Sequence, residues 1–304
     1  MPELPDVQVY VERLAAHLVG QRITGVRLPK PFLVRTFDPP LTAVIGKRVD
    51  GFSRIGKRIV FELEQELFMV LHLMIAGRLQ LGEPGKKLPG RIGLLGLDFE
   101  RHSLVLTEAG TKRRASLHVV SGRGSLSAFV RGGVEPFEVD VAGFAAALRR
   151  ENRTIKRALC DPTIVSGVGN AYSDEILHRA RLSPLQRTSN LTDADLGRLF
   201  AATRDVLREW LTRLRAEAAD GFPEKVTAFR PEMAMHGKFK QPCPVCGTAV
   251  QRIVYANNEC NYCPRCQTEG RLLADRALSR LLTKDFPRTI EDLEELAASR
   301  ARDV

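Results

Sequence analysis

Four cysteines, arranged as two Cys-x-x-Cys pairs, restrict the fold of this chain more than any other feature. Cys243 and Cys246 form the first pair, and Cys263 and Cys266 form the second pair after sixteen intervening residues. This spacing is typical of a zinc site in which two tight turns each offer two thiolates to one tetrahedral ion. Four protein ligands leave no open coordination position, so the sequence predicts one structural Zn²⁺ in a zinc finger.

The two remaining cysteines are interpreted differently. Cys260 is close to the second pair and could compete as a ligand, but Cys263 and Cys266 share one turn and are the better pair. Cys160 lies on the apolar face of a predicted helix and is interpreted as a small core residue. Because the cysteines cluster and no secretory signal precedes them, metal binding is favoured over disulfides.

The charge of the chain favours an anionic partner. Its 304 residues carry a formal net charge of +10, and the pI is about 9.6. An excess of this size indicates a polyanion, with nucleic acid ahead of a membrane surface. A hydrophobic fraction of 44% excludes a disordered protein. No apolar run approaches about 20 residues, so no membrane-spanning helix is expected.

Hydrophobic periodicity predicts an α+β fold. Residues 7–18 have helical spacing, and the following region alternates as strands punctuated by glycine and proline, which together predict an N-terminal β-sandwich with a capping helix over residues 1–134. The strands are predicted at residues 21–26, 48–53, 58–62, 67–73, 93–98, 103–106 and 115–120.

The rest of the chain is predicted to be mainly helical. A helical domain is expected over residues 135–236, the zinc finger over 237–270 with a strand at 249–255, and a C-terminal extension over 271–304. The helices are predicted at residues 144–150, 153–160, 171–180, 194–215, 272–282 and 290–297.

A glycine-rich turn precedes one of these helices. Gly167 and Gly169 stand just before Asn170, where backbone N–H groups would point outward and offer an anion site suited to a DNA phosphate. Asn170 is expected to cap the helix. A plain helical hairpin with a glycine-rich turn is the alternative interpretation.

The N-terminus offers a nucleophile. Initiator Met is normally trimmed before a small residue such as Pro2, which would leave a secondary amine able to attack a sugar aldehyde carbon and form an iminium. Glu3 lies beside it as a proton carrier. The alternative is that Pro2 and Pro5 only stiffen the start of the chain.

Taken together, these motifs resemble the formamidopyrimidine-DNA glycosylase/endonuclease VIII family of base-excision repair enzymes. The resemblance extends from residue 1 to about residue 267 and implies a β-sandwich, a helix–two-turn–helix domain and a zinc finger, with DNA in the cleft between. It also implies damaged double-stranded DNA as partner and a monomeric, bacterial-type cytoplasmic protein associated with the nucleoid. The matching segments are residues 2–7, the Gly56–Lys57 turn, residues 72–77, residues 166–175 and the two cysteine pairs.

The resemblance implies a bifunctional glycosylase and abasic-site lyase that flips its target nucleotide out of the duplex. Pro2 would attack the anomeric carbon, and Glu3 would protonate the sugar ring oxygen. Lys57 would contact the lesion phosphate, while Lys156 and Asn170 would hold the flanking phosphates. β- and then δ-elimination would nick the strand.

Three positions depart from the family pattern. Ile75 aligns with the methionine that fills the space left by the flipped base in purine-directed members, with Met74 adjacent to it. The loop at residues 108–116 is basic, with Arg114, but lacks an aromatic wedge. Asn258 stands where the finger arginine is expected, and Arg252 is a possible substitute. The sequence therefore predicts a divergent member and does not specify the damaged base.

Two other functional classes remain open. The first is a non-catalytic DNA-damage binding protein on the same scaffold, and the joint presence of Pro2, Glu3 and Lys57 argues against it. The second is a zinc-ribbon regulator or ribosome-associated protein. Such a protein would tolerate an N-terminal tag that blocks Pro2, whereas the enzyme would lose its lyase activity.

Overall fold

A computed structural model describes residues 1–223, 226–255, 258–274 and 287–302. These residues form two compact units: Met1–Gly132 with Leu207–Thr227, and Gly133–Val206 with Ala228–Val304. Helix α5, Asp193–Ala218, contributes residues to both units.

The first unit contains one helix and two four-stranded antiparallel sheets, as expected for a β-sandwich. The first sheet has the order β1-β6-β7-β5, and the second has the order β2-β3-β4-β8. The elements are α1 (Leu4–Leu18), β1 (Ile23–Arg27), β2 (Val49–Ile55), β3 (Arg58–Leu63), β4 (Leu67–His72), β5 (Gly77–Gly82), β6 (Gly93–Phe99), β7 (Ser103–Glu108) and β8 (Ser116–Ser121).

Helix α1 and the inner faces of both sheets enclose one hydrophobic core. Val7, Tyr10, Leu14 and Leu18 recur at helical spacing and are fully buried there, which follows from an apolar stripe facing the core. The helix begins three residues earlier than the periodicity predicted, because Pro5 in the first turn needs no backbone donor.

Strand β5 was missed by the sequence prediction. It is bounded by Gly77 and Gly82 and carries few β-branched residues, so its sequence lacks the usual strand signals. This segment forms a strand because it pairs with β7 over its full length and because Leu79 is buried in the core.

The second unit combines the helical segment with the finger. The segment over residues 155–160 and the helix that begins at Asn170 are joined by the glycine-rich turn predicted from the sequence. The elements are α2 (Val141–Arg149), α3 (Ile155–Cys160), α4 (Asn170–Ala180), β9 (Gln251–Tyr255), β10 (Asn258–Tyr262), α6 (Pro264–Thr268) and α7 (Ile290–Arg302), with the first part of α5.

The C-terminal extension contains one described helix. Helix α7 confirms the helix predicted at residues 290–297 and is longer. The other predicted helix, residues 272–282, falls largely on residues outside the described ranges, and its first three residues are not helical. Among the helices that the structure describes, none has the length and apolarity needed to cross a bilayer.

Candidate functional site

The N-terminal residues of the first unit are held in a buried position by the start of α1. Pro2 is buried, and Glu3 is only 2% exposed. The Glu3 backbone N–H donates to Asp6 Oδ2 at 2.9 Å, and the Val7 N–H donates to the Glu3 carbonyl at 2.9 Å. This arrangement fixes the direction in which the chain enters the helix, and therefore the position of the terminal amine.

The terminal amine lies among charged groups. Met1 is present, so this amine stands one residue before the amine that Pro2 would carry after trimming. Burial lowers the pKa of the amine, the Glu3 carboxylate raises it, and the Arg78 and Lys57 cations lower it. The low-dielectric position and the two cations favour the neutral, nucleophilic form of an amine here.

Lys57 is presented by a tight turn between β2 and β3. Gly56 has φ +60°, a left-handed conformation that glycine adopts without strain. Arg54 Nη1 donates to the Gly56 carbonyl at 2.7 Å and so braces the turn. Lys57 therefore lies in the same unit as Pro2 and Glu3, and its charge lowers the pKa of the terminal amine on Met1. The catalytic roles of the three residues stay predictions.

Met74 and Ile75 lie in the loop between β4 and β5. Met74 has φ +52° and is half-buried, whereas Ile75 is 60% exposed. The loop can close only because Gly77 lacks a side chain, since a Cβ there would stand 2.3 Å from the Leu73 carbonyl oxygen. Arg78 Nη1 donates to the Ile75 and Gly77 carbonyls at 3.2 and 2.7 Å. Arg78 thus links this loop to the charged surroundings of the terminal amine.

The basic loop after β7 is organised by one buried carboxylate. Glu108 is 1% exposed and accepts the backbone N–H groups of Arg114 and Ala115 at 2.9–3.3 Å. The Arg114 side chain itself is exposed. Ala115, at the end of this loop, is fully buried.

In the second unit, Lys156 makes a buried ion pair. Its ammonium donates to Asp174 Oδ1 and to the Asn170 carbonyl, both at 2.6 Å, and its side chain is 9% exposed. The other Asp174 oxygen lies 2.8 Å from His236 Nδ1. Burial lowers the pKa of Lys156, but the Asp174 carboxylate, Cys160 and Cys260 together raise it by more, so the net shift is upward. Direct phosphate contact by Lys156 stays a prediction. Its ion pair with Asp174 and its hydrogen bond to the Asn170 carbonyl also connect α3 to the start of α4.

Asn170 does not cap α4 with its side chain, contrary to the sequence prediction. Gly169 occupies the N-cap position, and no side-chain hydrogen bond caps the helix. Asn170 Nδ2 instead donates to the Glu259 carbonyl on β10 at 2.9 Å. The Asn170 side chain therefore hydrogen-bonds to the finger hairpin instead of capping the helix. The sequence alone could not predict this contact, because Asn170 and Glu259 are far apart in the chain.

The four predicted ligand cysteines come together. Their sulfur atoms all lie within 4.8 Å of one another, and the Cys243–Cys266 and Cys246–Cys263 sulfurs are 3.9 and 3.4 Å apart. A tetrahedron with bonds of about 2.3 Å places its sulfurs roughly 3.8 Å apart, so the cluster fits Zn²⁺. Cys260 is not a member of this cluster.

A histidine from α4 contacts the cysteine cluster. His178 Nε2 lies 3.3 Å from Cys243 Sγ, and the side chain is buried. Burial lowers the pKa of His178 to about 4, with Arg179 and Arg181 adding to the effect, so the ring is neutral near pH 7. A ring N–H can then donate to the thiolate, the kind of contact that orients metal ligands.

Arg252, the possible substitute for the finger arginine of the family, contacts two neighbouring side chains of its own chain. Its guanidinium lies 3.2 Å from Glu259 Oε2 and 4.3 Å from the centre of the Phe239 ring, and the side chain is 44% exposed. Asn258 is exposed on the facing strand.

Sequence reasoning missed four residues that organise the site: Arg78, Asp174, His178 and His236. Arg78 directly follows Gly77, the last residue of the matching segment 72–77. Asp174 lies within the matching segment 166–175. Their positions in or beside these segments could have identified both residues as candidates. For the two histidines the sequence carries no comparable signal, because their partners are distant in the chain.

Three segments of the chain match known domain families. Residues 1–116 match the formamidopyrimidine-DNA glycosylase N-terminal domain, and residues 133–217 match the formamidopyrimidine-DNA glycosylase H2TH domain. Residues 240–268 match the zinc finger found in FPG and IleRS. With the cysteine cluster, this last match confirms the prediction of one structural zinc.

Full-length relatives agree with these matches. A formamidopyrimidine-DNA glycosylase of Thermus thermophilus is 34% identical over 89% of this chain and 100% of its own length. One from Mycolicibacterium gilvum is 32% identical over 90% of this chain and 100% of its own length.

Solved structures share the fold. MutM in complex with DNA containing carbocyclic 8-oxo-G has a TM-score of 0.78 at 26% identity, covering 88% of this chain and 100% of that chain. Lactococcus lactis Fpg in complex with DNA containing an abasic site has a TM-score of 0.77 at 26% identity, covering 88% and 99%.

Proposed function

Because the chain belongs to the formamidopyrimidine-DNA glycosylase family, we propose that it excises a damaged base from double-stranded DNA and then cleaves the strand at the abasic site. The observation that carries this proposal is the buried start of α1. There burial lowers the pKa of the terminal amine, and the charges of Glu3, Arg78 and Lys57 act on it as well.

The chemistry starts with removal of Met1, which exposes the secondary amine of Pro2. The amine nitrogen attacks C1′ of the flipped nucleotide as the glycosidic C–N bond breaks and the base leaves. The attached nitrogen then loses its proton, Glu3 protonates the sugar ring oxygen, and the C1′–O4′ bond breaks to give an iminium and a ring-opened sugar hydroxyl. An α-amine has a lower pKa than a lysine amine, so more of it is neutral near pH 7.

Strand cleavage follows from the iminium. Loss of a C2′ proton expels the 3′ phosphate, and a second elimination expels the 5′ phosphate. Lys57 binds the phosphate of the damaged nucleotide and holds C1′ against the amine. Arg78 keeps the amine neutral by its charge and fixes the loop that carries Met74 and Ile75.

The second unit binds backbone phosphates of the DNA strand next to the damaged nucleotide. The backbone N–H groups at the start of α4 face a phosphate, and Asn170 lies at that end of the helix. Lys156 supports the same turn through the Asn170 carbonyl and Asp174. Arg252 supplies a phosphate contact from the finger hairpin by exchanging its Glu259 partner.

The space left by the flipped base is filled by the exposed Ile75, with Met74 behind it and Arg114 on the neighbouring loop. Ala115 provides no aromatic wedge. Insertion therefore depends on aliphatic side chains. We expect oxidised or otherwise damaged bases as substrates, since a base with weakened pairing costs less free energy to flip.

Zinc, when bound to the four cysteines, crosslinks the two turns of the finger and takes no part in bond breaking. The chain contributes the surrounding contacts. Gln267 bridges the finger to the helical segment, since its Oε1 accepts the Cys263 N–H and its Nε2 donates to the Leu182 carbonyl. Gln267 thereby connects the second cysteine pair to the segment that follows α4.

Borohydride trapping tests the proposal. Untagged, Met-trimmed protein is incubated with duplex DNA carrying one abasic site, with Pro2→Gly and Glu3→Gln alongside and an N-terminally extended protein as a blocked control. We expect a covalent complex that maps to Pro2 in the wild type only, and retained DNA binding in Pro2→Gly.

Two outcomes would contradict the proposal. A trapped complex that maps to another residue would remove Pro2 from its role. Binding without any trapping would favour the non-catalytic damage-binding protein. In a separate assay on duplex DNA that carries a damaged base, base excision by Glu3→Gln at the wild-type rate would refute the acid role of Glu3 alone.

A further inference from the structure

Three arginines gather around two histidines at one end of the outer face of the second sheet. In the sheet, Arg58 on β3 pairs with His72 on β4, and His118 on β8 pairs with Val70. Residues opposite one another, or two apart on a strand, point to the same face, so the three side chains share one face. They lie beside the apolar cluster of Val60, Phe68 and Val70.

A short 3₁₀ helix, Arg123–Phe129, covers this apolar cluster and orders the charged groups next to it. Arg58 Nη1 donates to the Phe129 carbonyl at 3.4 Å, and the His118 ring packs edge-on to the Phe129 ring at 5.0 Å. Arg131 follows two residues later. These contacts hold Arg58 half-buried rather than free in solvent.

Arg35 approaches from the other side of β8. Its backbone N–H donates to the Leu117 carbonyl at 2.9 Å, which places it beside His118, and its side chain is exposed. Arg35, Arg58 and Arg131 are called the arginine cluster below.

The arginine cluster has no counter-charge among the described residues. Burial and then Arg131 lower the pKa of Arg58, and burial followed by Arg58 and Arg35 lowers the pKa of His118. Burial, Arg58 and Lys57 lower the pKa of His72 to about 4, so this ring is neutral near pH 7. Every charged neighbour named here is a cation.

Other arginines of the same unit are paired with carboxylates. Arg22 lies 2.9 Å from Glu64, and Arg48 lies 3.0 Å from Asp50. Within the described ranges, by contrast, no carboxylate forms an ion pair with a member of the arginine cluster. Holding several guanidinium groups together without an anion costs free energy, and a bound anion removes that cost.

We propose that the arginine cluster binds neighbouring backbone phosphates of the DNA strand that passes Lys57, with Arg58 and Arg131 on different phosphates, an inference that rests on the proposed function. Arg58 directly follows Lys57, and both act on His72, so the cluster is continuous with the catalytic turn. The guanidinium fork matches phosphate oxygens and keeps its charge at all working pH values. The cluster contributes affinity and register without reading the damaged base.

The test compares two double variants. Arg58→Gln/Arg131→Gln removes two charges from the cluster, and Arg22→Gln/Arg48→Gln removes two paired charges elsewhere in the unit. The dissociation constant for a duplex carrying a tetrahydrofuran abasic-site analogue is measured between about 50 and 200 mM salt. Far-UV circular dichroism verifies that each protein is folded.

We expect the cluster variant to lower the slope of log affinity against log salt by about 2, since each lost phosphate contact removes about 0.9. Binding at low salt should weaken by about tenfold or more, equally for damaged and undamaged duplexes, while the control double variant keeps the wild-type slope. If the double variant does not fold, the exposed Arg131→Gln alone should lower the slope by about 1.

Equal slopes in the cluster and control variants would overturn the inference. That result is distinguishable from failure of the proposed function, which is judged on the wild type alone. A wild-type protein that binds abasic DNA and is trapped on it, with equal slopes in both variants, rejects only the arginine cluster. A wild type that neither binds nor is trapped rejects both.

Discussion

Replacing Lys156 with methionine separates its two possible roles, phosphate contact and structural support. Asp174 is fully buried and accepts the Lys156 ammonium at 2.6 Å. Lys156→Met would leave this carboxylate in hydrogen-bond contact with His236 but without the ammonium. Removing one partner of a buried ion pair costs about 3–5 kcal/mol. Because His236 persists, we expect the lower end, about 3 kcal/mol, or a midpoint roughly 10 °C lower.

The assay is thermal unfolding followed by far-UV circular dichroism, with Arg157→Gln as the matched control. Arg157 is the next residue on α3 and is exposed, so its loss changes the charge without breaking a buried pair. Burial lowers the pKa of Lys156, but Asp174, Cys160 and Cys260 together raise it by more, so the pKa is raised. The ion pair is therefore fully present below the unfolded pKa of about 10.4, and the deficit of Lys156→Met should stay constant from neutral pH to about pH 10.

A different pattern would refute this reasoning. If Lys156→Met unfolds at the wild-type temperature but binds DNA about tenfold more weakly with a lower salt slope, Lys156 acts as a direct phosphate ligand. Its buried pair with Asp174 would then contribute nothing to stability.

Three more changes test other contacts. His178→Phe removes the ring N–H beside Cys243 and should speed zinc release to a colorimetric chelator severalfold; unchanged release would mean that the contact is incidental. Gly77→Ala places a Cβ 2.3 Å from the Leu73 carbonyl oxygen and should lower stability by about 2 kcal/mol in urea unfolding, whereas a neutral effect would show that the loop can relax. Arg78→Gln removes a cation that lowers the pKa of the terminal amine. That pKa should rise, and the acid limb of the trapping rate should move to higher pH; an unmoved profile would exclude Arg78 from tuning the amine.

The fold was largely predictable because its signals are local. The stripe of Val7, Tyr10, Leu14 and Leu18 predicts α1, and alternation predicts most strands of the sandwich. Strand β5 escaped prediction because its pairing with β7, rather than its own composition, makes it a strand. The spacing of the cysteines predicted the zinc cluster, since ligand geometry is encoded within each short turn.

Pro2, Glu3 and Lys57 could be named as catalytic candidates from motifs, and their roles stay predictions, but the hydrogen bonds of the site could not be predicted. The charges of Glu3 and Lys57 affect the pKa of the terminal amine on Met1, after burial, which lowers it most. The capping role expected for Asn170 was wrong because Glu259 captures its amide, and that contact joins positions 89 residues apart. Sequence patterns predict contacts within a turn or a strand pair, whereas such long-range hydrogen bonds depend on the completed packing.

Asp174 and Glu175 on α4 couple the local unfolding of the residue 234–236 loop to that of the helix. Asp174 binds Lys156 and His236, while Glu175 accepts the backbone N–H groups of Ala234, Met235 and His236 at 2.8–2.9 Å. These three amides depend on a side chain of α4 rather than on a ladder of their own. In hydrogen exchange they should share the protection of α4 and be lost with it, so that a loop with little regular structure behaves as part of one cooperative unit.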